Sequence, residues 1–507
     1  MEEPTSKRAK TSPTVSLCNN FINGEFVPAQ GGGYMDVLSP IDDSVISQVT
    51  LSSDQDVAAA VASAEAAFPA WKGQTAKQRA AVMLRLHALI AEHADELADI
   101  VVREAGKNKA EALASVAKGN ETVEWACSMP QLMQGKALEV SRGIACADHR
   151  DPLGVVGCIV PFNFPIMVPM WTVPIALVAG NCVILKPSEK VPMCMARVAA
   201  LMREAGVPDG VFQMVQGTAE AAAALADHPG VRALTFVGSS PVAELLAKRC
   251  RGLNKRVLAL GGAKNHLVAL PDCDRETAAG DIVASFAGCA GQRCMAASVL
   301  LLVGDTGDLL DRVVARAAAL RPGTDPGQVG PVIDAAAKAR VLKYVDEAVT
   351  RDGAEPLVDG RAWADRSPGT WVGPTVLRHQ KKGDPALTDE IFGPVLSVLR
   401  VDSWEEALEI ENASPFGNAA SVYTSSGASA EWFTSRFRAG MLGVNIGIPV
   451  PREPFSFGGL YGTRSKFGDM DITGDGAMAF FTDRRKVTTK WVLTQDSKDK
   501  ANFAGQL

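Results

Sequence analysis

Val231-Arg-Ala-Leu-Thr-Phe-Val-Gly238-Ser239-Ser240 reads as an apolar strand that stops at Gly-Ser-Ser and passes at once into the helical pattern Pro241 to Cys250. Strand, small-residue turn and helix in immediate succession are the unit of a parallel sheet. Free amides at a helix start attract phosphate, and small residues let phosphate reach the backbone. Taken alone, the triplet is more often an ordinary helix cap. Upstream the same rhythm repeats. Val155 to Val160 is a strand ending at Pro161, and Ile166 to Ala179 is a buried helix. Cys182 to Leu185 is a strand ending at Lys186-Pro187. Pro192 to Glu204 is a helix, Val211 to Val215 a strand and Thr218 to Ala226 a helix. This alternation predicts an α/β fold with a doubly wound parallel sheet. Asp54 to Phe68, with Asp54 as N-cap, and Ala76 to Gly106 carry helical spacing. Gly32 to Thr50 and Ser141 to Arg150 look like edge strands or hairpins. Gly323 to Gly330 and Asp469 to Gly476 look like loops, the latter before apolar Ala477 to Phe481.

The length of 507 residues predicts two to four domains. Apolar residues make up 47% and charged residues 21%, which excludes disordered and collagen-like classes. A net charge of −6 lacks the footprint of a nucleic-acid binder. The ten cysteines show no CxxC and no Cys/His metal spacing, so they read as reduced intracellular thiols with no metal. Gly154 to Leu185 is uncharged and long enough to cross a bilayer. It also holds Pro161, Pro165, Pro169 and Pro174, which would leave backbone groups unsatisfied in lipid, so it is read as core. Met1 to Pro13 lacks an apolar h-region, and its early acids argue against a transit peptide. It is expected to be a solvated tail, its Lys7–Lys10 cluster included. A cytoplasmic location is expected, with a mitochondrial one left open.

Three further stretches carry chemistry. In Ile184-Leu-Lys186-Pro-Ser-Glu189 a strand end delivers an ammonium and a carboxylate, and an acid there can accept both hydroxyls of an adenine ribose. The bland reading is a capped loop. In Phe286-Ala-Gly-Cys289-Ala-Gly-Gln-Arg293-Cys294, the last cysteine follows two glycines and a polar pair, before an apolar strand from Ser298 to Val303. A nucleophilic thiol needs an accessible, electropositive setting, and Arg293 fits. Cys289 sits in a more apolar context and reads as a bystander. In Pro161-Phe-Asn163-Phe-Pro165 an amide held between prolines could donate to a developing oxyanion, although turn chemistry is the default.

With Asp389-Glu390-Ile-Phe-Gly-Pro394, these motifs fall in the order and spacing of the aldehyde dehydrogenase superfamily, which the chain resembles from about residue 18 to 495. Ala263-Lys-Asn-His266, Val444-Asn-Ile-Gly-Ile-Pro-Val-Pro451 and Phe455-Ser-Phe457 are similar to its CoA-acylating methylmalonate-semialdehyde branch. The resemblance implies a Rossmann-like NAD domain (14–132 and 154–261), a catalytic α/β domain (262–462) and a small β oligomerisation element (133–153 and 463–500). It implies Cys294 as nucleophile, with Asn163 and the Cys294 amide holding the oxyanion. The cofactor contacts implied are Pro161, Phe162, Lys186, Glu189, Gly238, Ser239, Glu390 and Phe392. Glu189 would repel a 2′-phosphate and so favours NAD over NADP. Arg293 and Lys118 are the implied substrate contacts. Lys118 stands where the family usually has Arg, which keeps charge but loses the two-pronged fork.

Hydrolytic relatives carry a glutamate base in Glu-Leu-Gly-Gly. Here the stretch is Ala259-Leu-Gly-Gly262, and alanine takes no proton. A thioester at Cys294 would then wait for another acceptor, and a CoA thiol is a good one. The expected activity is NAD-dependent, CoA-acylating oxidation of malonate or methylmalonate semialdehyde to acetyl-CoA or propionyl-CoA with loss of CO2, by a homotetramer or homodimer. Three rivals remain: a hydrolytic aldehyde dehydrogenase, a specialist for another aldehyde, and a binding protein on the same scaffold.

Overall fold

Five parallel strands form the centre of the first sheet, in the order Arg256–Leu260, Val231–Val237, Val155–Ile159, Cys182–Lys186 and Phe212–Met214. Chain order therefore reverses between Val155–Ile159 and Val231–Val237, where Leu234 pairs with Gly157. Such a reversal opens a crevice beyond the carboxyl ends of the strands, where open α/β sheets bind ligands. The computed structural model describes residues 16–491; the expected tail at 1–13 lies outside them. Antiparallel strands close both edges, Lys466–Phe467 on one side and the hairpin Asn20–Ile22/Glu25–Val27 on the other. The central strands are buried throughout, as expected of a sheet covered on both faces.

After a four-residue connection from Leu260 the chain enters a second sheet at Asn265. Its order is Glu355–Val358, Thr375–Arg378, Val395–Val401, Ala297–Val303, Asn265–Ala269, Ala419–Tyr423 and Met441–Val444, parallel except for the first pair. The connection Gly261–Lys264 thus joins the carboxyl edge of one sheet to the amino edge of the other. A third, exposed sheet pairs Thr482–Lys490 with Ile144–Pro152, and that strand with Ala137–Ser141, all antiparallel.

The uncharged stretch folds as strand, helix Met167–Ala179 and strand, with Val168 to Ala179 all buried. Among the described residues no helix is long and apolar enough to cross a membrane. Three local expectations need correcting. Ser53, not Asp54, caps the first long helix, Asp54–Gly73. Its side chain accepts from the Gln55 amide, while the Asp56 carboxylate accepts the Ser53 amide at 2.9 Å. A capping box needs an acid three residues on, and only Ser53 has one so placed. Ala76 to Gly106 is two helices, Ala76–Glu92 and Ala94–Ala105, broken at His93. The break turns Leu97, Ala98 and Val101 inward, where their helix packs on Lys109–Cys127 and Pro192–Glu204. A single helical period could not bury both segments. The end of the Asp469–Gly476 loop is also already helical, since Gly474–Phe480 forms a short helix.

Helix Lys109–Cys127 packs closely on Met167–Ala179 because Gly119 has no side chain. A Cβ there would lie 3.2 Å from the Met167 Cα and 3.4 Å from the Met170 Cγ. Gly119→Val is expected to cost about 2 kcal/mol by overpacking, more than the roughly 0.5 kcal/mol gained by removing a helical glycine. Urea unfolding checks this: a midpoint equal to or above that of the parent chain would refute the close-approach argument.

Candidate active site

Cys294 lies in the connection between helix Arg275–Ala287 and strand Ala297–Val303. Three residues of that connection are left-handed in succession: Cys289 (φ 51°), Ala290 (φ 52°) and Gly291 (φ 69°). For the two non-glycine residues this costs about 1–3 kcal/mol each, so the surroundings must hold it. They do so mainly through its backbone groups. The Glu111 carboxylate accepts the Cys289 amide at 2.7 Å, and the Lys107 ammonium donates to the Cys289 sulfur at 3.3 Å. The Asn163 side chain donates to the Gln292 carbonyl at 2.8 Å, and the Gln292 side chain accepts the Ile333 amide at 2.9 Å. The Cys294 carbonyl accepts from both Asn265 (2.8 Å) and Asn418 (2.9 Å). Each such bond is worth about 1 kcal/mol net, so the network as a whole is of the size of the strain it opposes.

Two cavities meet at the Cys294 thiol. The first, about 500 Å³, is lined by Pro161, Phe162, Asn163, Lys186, Glu189, Gly238, Ser239, Glu390, Phe392 and Cys294. The structure therefore brings all the expected cofactor contacts to one cleft, together with the nucleophile and Asn163. The cleft lies at the carboxyl ends of the first sheet. Lys186 is buried at its strand end, 3.1 Å from Glu189; burial pulls its ammonium down and the Glu189 charge partly restores it. Helix Ser240–Gly252 begins at Ser239 with no side chain capping its free amides, which suits a diphosphate. At the thiol end, the Glu390 carboxylate accepts the Ala263 amide at 2.9 Å and lies where any Cβ on Gly262 would collide with it. Phe162 and Phe392 meet edge to face at 6.0 Å.

The second cavity, about 570 Å³, reaches Cys294 from the other side. Its wall is largely apolar, with Phe164, Met167, Trp171, Met295, Ile448 and Phe457, and it contains both expected substrate contacts, Lys118 and Arg293. Neither cation is bare. Arg293 pairs with Glu111 at 3.3 Å and is largely shielded from solvent, and Lys118 pairs with Glu121 at 2.7 Å.

Burial dominates the titration of the site. It pushes the Cys294 thiol up to about 12, with the Glu390 charge adding to the effect. Burial also raises Glu390, against the Ala263 hydrogen bond and the Lys264 charge. Lys264 falls to about 7, again through burial; its ammonium donates to the Ala386 carbonyl at 2.7 Å, just ahead of Glu390 in the chain. Ala259 is wholly buried in its strand, paired with Phe236 and Phe467.

Sequence reasoning passed over Lys107, Glu111, Gln292 and Asn418. Gln292 stood inside the quoted cysteine stretch without a role of its own, and all four act on partners supplied by distant segments: Lys107 on the Cys289 sulfur, the others on backbone atoms. Asn265 stood in a quoted motif, but its bond to the nucleophile's own carbonyl had no local signal.

Two doubly wound sheets, a phosphate-compatible cleft at the switch point and a half-buried thiol where two cavities meet are the features of a nucleotide-dependent enzyme. The chain belongs to the aldehyde dehydrogenase family, which it matches over residues 26–487. It is 40% identical over 483 residues to malonate-semialdehyde dehydrogenase 2 of Geobacillus kaustophilus, covering 94% of this chain and 99% of that one. The crystal structure of methylmalonate-semialdehyde dehydrogenase from Oceanimonas doudoroffii superposes with a TM-score of 0.92 at 38% identity, covering 95% and 99% of the two chains. A structure from Sinorhizobium meliloti 1021, complexed with NAD, gives 0.92 at 36% identity over 96% and 100%.

Because the thiolate is the reactive form, iodoacetamide labelling of Cys294 in the cofactor-free protein should rise about tenfold per pH unit from pH 7 to 9. Peptide mass spectrometry would follow it, and a plateau within that range would contradict a thiol raised by burial.

Proposed function

We propose that the protein is an NAD-dependent, CoA-acylating dehydrogenase of malonate or methylmalonate semialdehyde. The observation that carries this reading is the pairing of an intact thiol site with Ala259 in the position of the hydrolytic base. The Cys294 thiolate adds to the aldehyde carbon, and the resulting alkoxide is received by the Cys294 amide and by the second hydrogen of the Asn163 amide, whose first is held by Gln292. Bound in the first cavity, NAD supplies the hydride acceptor that converts this adduct to a thioester. Lys186 and Glu189 are the proposed adenosine-ribose contacts, Gly238 and Ser239 the diphosphate contacts, and Glu390 and Phe392 the nicotinamide-ribose contacts, with Pro161 and Phe162 along the cleft wall. The thioester persists, since Ala259 offers no base to a water. The β-carboxylate of the acyl group leaves as CO2 and the thioester enolate left behind takes a proton from water, while a CoA thiolate attacks the thioester carbonyl and expels the Cys294 thiolate.

The NAD domain at 14–132 and 154–261, the catalytic domain at 262–462 and the oligomerisation element at 133–153 and 463–500 belong to the same reading; its residues 14–15 and 492–500 lie outside the described ones. Assembly into a homodimer or homotetramer is supported by the strand Ala137–Ser141, exposed along its whole length with Leu138 and Val140 open to solvent. A cytoplasmic location is supported by ten free cysteines.

One observation favours hydrolysis instead. The Glu390 carboxyl is raised by burial and its charge is felt at the thiol, so it could serve a water as base. NADH formation from malonate semialdehyde separates the two readings. The acylating reading expects multiple turnovers with CoA and a burst of about one NADH per site without it. Cys294→Ala should lose at least about 10⁴-fold in either case. Steady CoA-independent turnover of the parent protein would sink the acylating assignment in favour of Glu390.

A further inference from the structure

One thiol of the nucleophile loop, which the chemistry above does not use, is set beside two cations. The Cys289 sulfur accepts from the Lys107 ammonium at 3.3 Å. Burial would lower the neighbouring Arg293, but the Cys289 charge, and then that of Glu111, holds it up. Lys107 is 4% exposed. It sits over the Phe164 ring, with its nitrogen 3.4 Å from the ring centre, and among the described residues no oxygen accepts from it. An ammonium held by a sulfur and a ring face is poorly solvated, and burial pulls Lys107 below its ordinary value. Cys289 lines the second cavity, so a small reagent can reach its sulfur. Thiols react where they are reachable and beside positive charge. The neighbouring Cys294 lines the same cavity, yet burial and then the Glu390 charge raise it. Burial likewise raises Cys158, Cys182 and Cys194.

We propose that Cys289 and Lys107 form an oxidation site, at which hydrogen peroxide joins the two side chains by a reversible sulfur–nitrogen bond. The Cys289 thiolate attacks one peroxide oxygen and the O–O bond breaks. The departing hydroxide takes a proton from the Lys107 ammonium and leaves as water. Sulfur is thereby oxidised to a sulfenic acid, peroxide is reduced, and a neutral amine is left beside the new S–OH group. That amine attacks the sulfur, the S–O bond breaks, and the hydroxyl leaves as water with a proton from the nitrogen. One peroxide is consumed and two waters are formed. A thiolate reverses the link by attacking its sulfur and expelling the amine. Because the amine is already held at the sulfur, it captures the sulfenic acid before a second peroxide carries it to the irreversible sulfinic acid. The pair thus protects the loop that carries Cys294 from permanent oxidation. The site is independent of which aldehyde the protein takes.

The test uses the full chain carrying Cys294→Ser, which removes the neighbouring thiol as a disulfide partner. After hydrogen peroxide, a thiol-free digest should contain the Lys107 and Cys289 peptides joined, two hydrogens lighter than their sum. Dithiothreitol should separate them. Iodoacetamide labelling of Cys289 should fall at least about tenfold on oxidation and recover on reduction. Adding Lys107→Arg keeps the charge but replaces the amine. The joined peptide should then be absent, and Cys289 should gain two oxygens that dithiothreitol does not remove. The proposal is overturned if Cys289 stays a free thiol while other cysteines oxidise. It is equally overturned if Cys289 reaches the sulfinic acid, or bonds another cysteine, with no link to Lys107. Both results are read with Lys107 intact, so they decide even if the Lys107→Arg chain fails to fold. Full recovery of Cys289 in a folded Lys107→Arg chain would also refute it.

Discussion

Everything at the site depends on how the loop bearing Cys294 is held. A thiol can be aimed only if its own backbone is fixed, and here that backbone passes through three successive left-handed residues. The amides of Asn163, Asn265 and Asn418 reach the carbonyls of Gln292 and Cys294 from three separate elements. Losing Asn163 takes the side-chain donor from the Gln292 carbonyl, which costs more than the bond was worth in a buried site, while the Cys294 carbonyl is held twice over. The strained loop and its ties therefore stand or fall together.

The two sheets supply the frame for these ties. The four-residue passage from Leu260 to Asn265 sets the crevice of the first sheet against the amino edge of the second. Asn163 comes from the first side of that junction and Asn418 from the second, so the Asn163 amide and the Cys294 thiol are registered by the packing of whole sheets. Gly262 lets Glu390 lie against the same passage, and Gly291 lets the nucleophile loop lie against Gly393. The cofactor cleft and the thiol are thus parts of one packed junction, which explains why a single charge, that of Glu390, is felt at Cys294.

Electrostatics divides the labour on the far side of the thiol. Shielded ion pairs such as Arg293–Glu111 cannot easily open, because each partner would be left charged and unpaired. Exposed ones such as Lys118–Glu121–Arg452 can. The same residue types are therefore locked together beside Cys294 and loosely paired where solvent reaches them. Solvent exposure makes the difference.

Local pattern carried much of this protein. The strand–turn–helix rhythm around Val231–Ser240 and the apolar run from Val155 to Leu185 dictated a doubly wound sheet, because periodicity and small-residue turns act over a few residues. The motifs at Asn163, Lys186, Glu189, Gly238, Cys294 and Glu390 were legible for the same reason, since each side chain is delivered by the turn that ends its own element. The cap at Ser53, the break at His93 and the helix start at Gly474 were misread, because competing caps and tertiary burial decide among locally similar choices. Only the tertiary structure decided what Lys107, Glu111, Gln292 and Asn418 do. Their partners are distant in the chain, and a hydrogen bond to a backbone carbonyl or an ion pair across a cavity leaves no periodic trace in sequence. It also decided that Arg293, which stands beside the nucleophile and reads as a substrate anchor, is already paired with Glu111. That pairing depends on two segments 182 residues apart being packed together.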